Sequence, residues 1–306
     1  MSSLHYLSRP ELRQPSMVLA FSGWPDAGEA SSIAMRALIS TLDAEKIAEI
    51  DCDPFYVFTE ARPLTSQPEP GERVLIWPSS EFYAWRDPDE ERDLVLLQAR
   101  EPNIRWKEYV ELVLQVAHDF GVTRVIGLGS NYDAVSHRRP VKLSGRGTTP
   151  EMSEALSSIG VRETSYQGPS SIQSAVLDAC RLRGIPAGTM FGHAPHYVQS
   201  LPNVQVSFSL LRKLGALLSI RFQLDDLSNA ANELQTRIES AVSENEELVT
   251  YLQQLEAVAP EVESPEVGLD DEQRIGEPPN AAVVLEELEE FLRDYQERQR
   301  KDDKDQ

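Results

Sequence analysis

Two cysteines in 306 residues, Cys52 and Cys180, are too few for a disulfide framework. One falls in a segment read as strand and the other in an apolar helix, so both read as small buried hydrophobes in a reducing compartment. No run approaches the roughly 20 apolar residues that a bilayer span needs. The opening Met1-Ser2-Ser3-Leu4-His5 also lacks the basic-then-apolar pattern of an export signal, so the expected address is the cytoplasm, without membrane contact. Positive charge is scarce as well: 29 Lys and Arg against 50 Asp and Glu leave a formal charge of −21, with no basic stripe. Such a surface repels phosphate backbones and anionic headgroups, which excludes nucleic acid as a partner. The chain has no P-loop ending, no GxGxxG spacing, no GxSxG elbow and no HExxH pair. Neither a cofactor nor a metal is expected.

What is present suffices for a folded core. Hydrophobic residues make up 41% and charged residues 26%, far from the apolar-poor composition that prevents collapse. The acidity is uneven: residues 221–306 hold 24 acidic and 8 basic side chains, which leaves a net −5 to the first 220. A near-neutral core, residues 1–220, is therefore followed by an acidic helical extension. Short apolar runs at Met17–Phe21, Phe55–Phe58, Val74–Trp77, Leu94–Leu97, Val125–Leu128 and Ala187–Phe191 read as strands. Helical periodicity covers the segment after Gly28, with Ala30, Ile33, Ala34, Ala37 and Leu38 on one face, and recurs over Trp106–Phe120 and Ser171–Arg183. The last two each end in a glycine, Gly121 or Gly184, suited to a left-handed cap, and a β-prone run follows. The fold class expected is α/β, a mostly parallel sheet flanked by helices.

From Asp225 to Val258, Leu227, Ala231, Leu234, Ile238, Ala241, Asn245, Leu248, Leu252 and Leu255 recur at spacings of four and three. This segment, 221–259, reads either as a seam for self-association or a partner helix, with polar Asn245 fixing register, or as two antiparallel helices packed on their own core. Residues 260–280 have the Pro-rich acidic composition of a mobile linker. Residues 281–300 carry Val284, Leu285, Leu288, Phe291, Leu292 and Tyr295 as one amphipathic stripe ahead of the polar 301–306 tail. Asn245, Leu248, Leu252, Leu288, Phe291 and Tyr295 are the candidate partner contacts.

Two glycine turns follow predicted strands and should share one sheet edge. The first spans Gly23 to Gly28 and precedes a helix N-terminus, where backbone N–H groups can cradle an anion. Asp26 would set a negative charge beside any phosphate, so the alternative is a structural turn in which Asp26 or Glu29 serves the helix end. The second, Gly127-Leu128-Gly129-Ser130, lacks the flanking glycine of a hydrolase elbow. Together Gly23, Asp26, Gly28, Glu29, Gly127, Gly129 and Ser130 outline a possible cleft. His193 and His196 flank Pro195, which disfavours a helical metal pair, and a loop held by His and Tyr hydrogen bonds is the better use. His137-Arg138-Arg139 and Arg146 form a small basic cluster for acidic groups on a partner or on the same chain.

Read as one string, Gly168-Pro169-Ser170-Ser171, Arg183-Gly184-Ile185-Pro186-Ala187 and Ala194-Pro195-His196-Tyr197-Val198 resemble the proteasome assembly chaperone 2 family. The Phe21–Ala30 block and the Gly127-Leu128-Gly129 turn are similar to that family's first and middle turns, and the resemblance covers about residues 15–240. It implies a phosphorylase-like α/β fold used as a non-enzymatic, homo-oligomeric scaffold that aids assembly of proteasome α-subunits, with Pro195, His196 and Tyr197 in the family-motif loop. The ending Lys304-Asp305-Gln306 departs from the hydrophobic-Tyr-any tail of such chaperones, which shifts expected contact to the core, the heptad segment or the last helix. The rival reading is a nucleoside hydrolase or phosphorylase-like enzyme, or small-molecule binder, using the cleft.

Overall fold

The computed structural model describes residues 3–68, 71–88, 92–199 and 201–258. Its strands are β1 (Leu4–Tyr6), β2 (Ser16–Ser22), β3 (Glu45–Ile50), β4 (Leu64–Ser66), β5 (Val74–Ile76), β6 (Ser80–Trp85), β7 (Leu94–Arg100), β8 (Arg124–Asp133), β9 (Leu143–Gly147), β10 (Arg162–Glu163) and β11 (Ala187–Pro195). Its helices are α1 (Ala30–Thr41), α2 (Trp106–Asp119), α3 (Pro150–Ser158), α4 (Ile172–Leu182), α5 (Val204–Leu218), α6 (Asp225–Ser243) and α7 (Glu246–Val258). Among the described residues, no helix is long and apolar enough to cross a membrane.

The main sheet runs β1-β3-β6-β7-β2-β8-β11-β9-β10. Its centre, β7-β2-β8-β11, is parallel, as the alternation of strand and helix predicts. The flanks turn it into a mixed sheet, because β1, β3 and β6 join antiparallel on one side and β9 runs against β11 on the other. A central parallel strand is covered on both faces, so its sequence shows an unbroken apolar run. In β2, Met17, Leu19 and Phe21 pack toward α2 and α4, while Val18 and Ala20 pack toward α1 and α5. Each of the larger side chains, Met17, Val18, Leu19 and Phe21, contributes about 2 kcal/mol when fully buried. The first turns of α1 bury small side chains (Ala30, Ser31, Ala34), and there α5 comes close enough for Ser207 Oγ to donate to the Ala30 carbonyl at 2.8 Å.

Two expectations are corrected, and one of the two readings of 225–258 is decided. Phe55–Phe58 is no strand: the Cys52 carbonyl accepts from the backbone N–H groups of Phe55 and Tyr56, a tight turn that drives the Phe55 ring against Tyr109 at 5.3 Å between centroids. The run is apolar because the turn plugs the core. Cys52 lies in that bend, half-buried, whereas Cys180 is buried in α4. Val74–Trp77 does yield a strand, β5, but it pairs only with β4 in a separate hairpin outside the main sheet. Of the two readings of 225–258, the structure shows the pair of helices packed on the chain's own core, α6 and α7. Asn245 sits between α6 and α7, its Oδ1 accepting from the N–H groups of Glu247 and Leu248, so it caps α7 and fixes no register between helices. Leu248 and Leu252 are buried with Leu234, Ile238 and Val242 against Tyr197, Val198 and Leu201 of the chain's own core, which removes them as surface contacts. Leu288, Phe291 and Tyr295, with the linker and tail, lie outside the described residues.

Candidate functional site

In open α/β sheets the ligand crevice lies beyond the carboxyl ends of the parallel strands. Here that edge is built by the turn after β2, the end of β8, and the 3-10 turn His196–Val198 after β11. Asp26 fills the place an anion would take. Its Oδ1 accepts from the N–H of Ser31 (2.8 Å), the N–H of Ser32 (3.2 Å) and the Ser31 hydroxyl (2.7 Å), and its Oδ2 accepts from the Ser32 hydroxyl (2.5 Å). The N-terminus of α1 is therefore closed by the chain's own carboxylate. Glu29 does not share the task; its exposed carboxylate lies 3.5 Å from Arg36.

The two glycine turns do meet, but as a seam. Ser130 donates its N–H to the Pro25 carbonyl and its hydroxyl to the Ala27 carbonyl. The Gly28 N–H donates to the Tyr132 hydroxyl, which donates to the Gln199 carbonyl, and the Gly28 carbonyl accepts from Asn203. At φ +58°, with a would-be Cβ 2.9 Å from Asn203 Cβ, position 28 admits only glycine. Gly23 lies at the mouth of this turn, beside Glu101. Deeper in the fold, Gly129 is covered by the Phe191 ring, 2.5 Å from where its Cβ would stand, and Gly127 lies under Gln173. Of the residues read as a cleft, Asp26, Gly28 and Ser130 meet in this seam, while Gly127 and Gly129 lie inside the fold and Glu29 faces solvent.

Beside this seam stands a cluster that sequence reasoning missed. His193, on β11 and not in a loop, lies with Nδ1 2.8 Å from Asp133 Oδ2 and Nε2 2.8 Å from the Ser144 hydroxyl; Lys142 Nζ reaches the same carboxylate at 3.1 Å. Burial acts to raise the Asp133 carboxyl, but His193 and Lys142 outweigh it and hold it well below the usual carboxylate range. The order Ser-His-Asp is that of a nucleophilic triad. Ser144, however, sits inside β9 with pairing to β11 on one side and β10 on the other, so the ladder claims the backbone donors an oxyanion would need. The cluster ties the ends of β8, β9 and β11 together. Its residues come from three strands, with His193 some 60 positions from Asp133, and only the sheet order reveals it.

The family-motif residues anchor the α6–α7 hairpin. Tyr197 donates to His137 Nδ1 (2.7 Å) while its oxygen accepts the His137 backbone N–H (2.8 Å), and His137 Nε2 then donates to Glu239 of α6 (2.9 Å). Those partners fix the neutral Nε2–H tautomer. Burial lowers the His137 pKa, and Glu239, held chiefly by Arg138, falls to about 2. His196 bridges the Asp133 carbonyl and the Tyr251 hydroxyl of α7, and Ser136 donates to Glu256. The 137–139 basic cluster therefore serves acids of its own chain: Arg138 is bidentate on Glu239, and Arg139 donates to the Glu256 carbonyl. Arg146 stays exposed. A recess between the 135–142 segment, α5 and α6 is lined by Val141, Val206, Leu234 and Ile238 and belongs to this hairpin interface.

Around the sealed edge, large apolar side chains face solvent. Trp24, after β2, is 60% exposed and Ile104, after β7, 43%. Trp77 precedes β6, which runs antiparallel to β7 and so starts from the same edge. It stacks edge-on with Phe58 at 4.8 Å between centroids and is still half exposed. From there the β4–β5 hairpin carries Leu64, Leu75 and Ile76, exposed by 67%, 54% and 53%.

The architecture is thus a three-layer α/β sandwich with a helical hairpin docked at its carboxyl edge. The chain belongs to the PAC2 family, whose model matches residues 20–242. It is similar to a PAC2 family protein from Streptomyces avermitilis, 33% identical, over 78% of this chain and 100% of that one, with a TM-score of 0.71. A proteasome-assembly chaperone homologue from Mycobacterium tuberculosis is 34% identical over the same shares, 78% and 100%, with a TM-score of 0.70. An archaeal proteasome activator from Pyrococcus furiosus, 18% identical, matches 78% of this chain and 97% of its own at a TM-score of 0.62, a likeness of fold alone. No curated protein matches the chain.

Proposed function

We propose that this protein is a non-catalytic, cytoplasmic, homo-oligomeric scaffold that binds proteasome α-subunits and aids their assembly. The observation that carries the reading is the state of the strand-carboxyl edge. Where an α/β enzyme keeps an open crevice, Asp26, Tyr132, Ser130 and Asn203 close it, and Trp24, Ile104 and Trp77 stand outward around it. Exposed aromatics of this kind are anchors for protein partners, because a large rigid apolar surface gains most when a second protein excludes water from it. Similarity to the mycobacterial chaperone homologue supports the choice of partner. Affinity capture from the native cytoplasm, comparing the full chain with a version lacking residues 260–306, tests it. The full chain is expected to retain α-subunits, and retention by the shortened chain would place contact on the sandwich. Recovery of the protein alone would overturn the proposal.

A further inference from the structure

Shape, charge and position single out the recess between the 135–142 segment, α5 and α6. It opens over about 440 Å³, mouth included, with Val141, Val206, Leu234 and Ile238 as its apolar walls and Arg139 and Lys142 beside them. In a chain with 50 acidic residues, no Asp or Glu is among the described residues that line it. Asp133 and Glu239 lie behind the wall, paired with Lys142 and Arg138. An apolar groove with cations at its side suits an amphipathic segment whose polar side is acidic. The helical hairpin also ends here. Glu256, in the last turn of α7, accepts from the Ser136 hydroxyl at 2.7 Å, and its carbonyl accepts from Arg139 at 3.0 Å, so Val258 leaves α7 beside the recess.

We infer that this recess is the docking site of the chain's own residues 284–295, which lay the stripe Val284, Leu288, Phe291 and Tyr295 into it. Glu286, Glu287, Glu289 and Glu290 flank that stripe and meet the cationic side of the recess. Length allows the return. About 25 residues separate Val258 from Val284, and a random chain of that length spans roughly 25–30 Å. An occupant so tethered is present at an effective concentration on the order of millimolar, about a thousand times that of a second copy in a micromolar solution. A contact with an intrinsic Kd of only about 0.1 mM is then made in roughly nine of ten molecules. The tether therefore decides for the chain's own stripe over a second copy's. This docking does not rest on the α-subunit reading, and none of the exposed aromatics around the strand-carboxyl edge takes part in it.

The test is disulfide trapping in the full chain at micromolar concentration, with Cys52→Ser to remove the half-buried thiol. Val141→Cys or Gln205→Cys, on two walls of the recess, is combined with Leu288→Cys in the stripe or with Glu290→Cys, which helical periodicity puts on the opposite side. Leu288→Cys is expected to link to at least one wall about tenfold faster than Glu290→Cys, within one chain and independently of dilution. Equal rates from the two positions would show a tail that only samples the surface and would overturn the inference. Links between copies would seat the stripe on a second molecule and overturn it as well. A second measurement needs no new cysteine. Phe291→Glu in the full chain should raise hydrogen exchange across 135–142 and the Leu234–Ile238 turn about tenfold, the protection lost when nine-tenths occupancy is abolished, while the central strands keep theirs. Exchange indifferent to Phe291→Glu, or no link to either wall, would equally reject the docking.

Discussion

Replacing Asp26 by alanine should destabilise the fold by about 3 kcal/mol. The carboxylate accepts two backbone N–H groups at the start of α1 and two serine hydroxyls, in a site 8% exposed. Loss of an N-cap alone costs about 1 kcal/mol. A buried donor stripped of a charged acceptor adds about 1–3 kcal/mol, and the favourable charge at the helix N-terminus adds about 0.5 kcal/mol. The hydroxyls can turn toward other acceptors, which keeps the total near the middle of that range. Asp26→Asn keeps one acceptor oxygen and should lose about half as much. Guanidinium unfolding followed by far-UV circular dichroism reads both, with the midpoint moving at constant slope. If Asp26→Ala lost under about 0.5 kcal/mol, the carboxylate would not be closing the helix end, and the account of a sealed edge would fail with it.

Four other outcomes are expected. Tyr197→Phe removes the acceptor of the buried His137 N–H and should cost about 1–3 kcal/mol, with amide exchange rising in α6 and α7 before the central strands. His137 is held below its ordinary 6.5, so the unfolded chain takes up the proton first. Its contribution is therefore complete above about pH 6.5 and is lost as pH falls, whereas Glu239 begins to weaken only below its ordinary 4.5; His137→Gln should flatten the upper part of the stability-against-pH curve. Gly129→Ala places a methyl against the Phe191 ring and should cost about 1–3 kcal/mol by thermal unfolding, while an unchanged melting temperature would show that the ring is free to move. Purine nucleosides, phosphate and ribose phosphates should leave the melting curve in place; a ligand at 100 times its Kd would add about 2.7 kcal/mol and revive the enzyme reading.

The parallel centre was legible because strands buried on both faces leave unmistakable apolar runs. Met17–Phe21, Leu94–Leu97, Val125–Leu128 and Ala187–Phe191 all lie in β2, β7, β8 and β11. The flanking strands were not, since β3 (Glu45–Ile50) and β6 (Ser80–Trp85) mix polar and apolar residues without a clear two-residue period, and β9 (Leu143–Gly147) has two glycines in five positions. The glycines at the ends of α2 and α4 did take left-handed φ, +66° at Gly121 and +70° at Gly184, because that cap is a local requirement. The heptad-like spacing of 225–258 is shared by a coiled coil and by two helices folded on one core, and only the Asn245 turn separates them. The Asp133, His193 and Ser144 cluster needed sheet order to appear. Exposure of β5 was hidden for the opposite reason, since an apolar strand reads as buried, and the bracketing Pro68 and Pro78 were the only local hint.

We propose that this edge grips a protein partner. Titrating the full-length chain with unassembled proteasome α-subunits from the same cell, and comparing wild type with Trp24→Ala, tests it most directly. A measurable complex weakened about tenfold or more by Trp24→Ala is predicted, as for an aromatic anchor at the centre of an interface. No complex, or one indifferent to the loss of Trp24, would contradict the account.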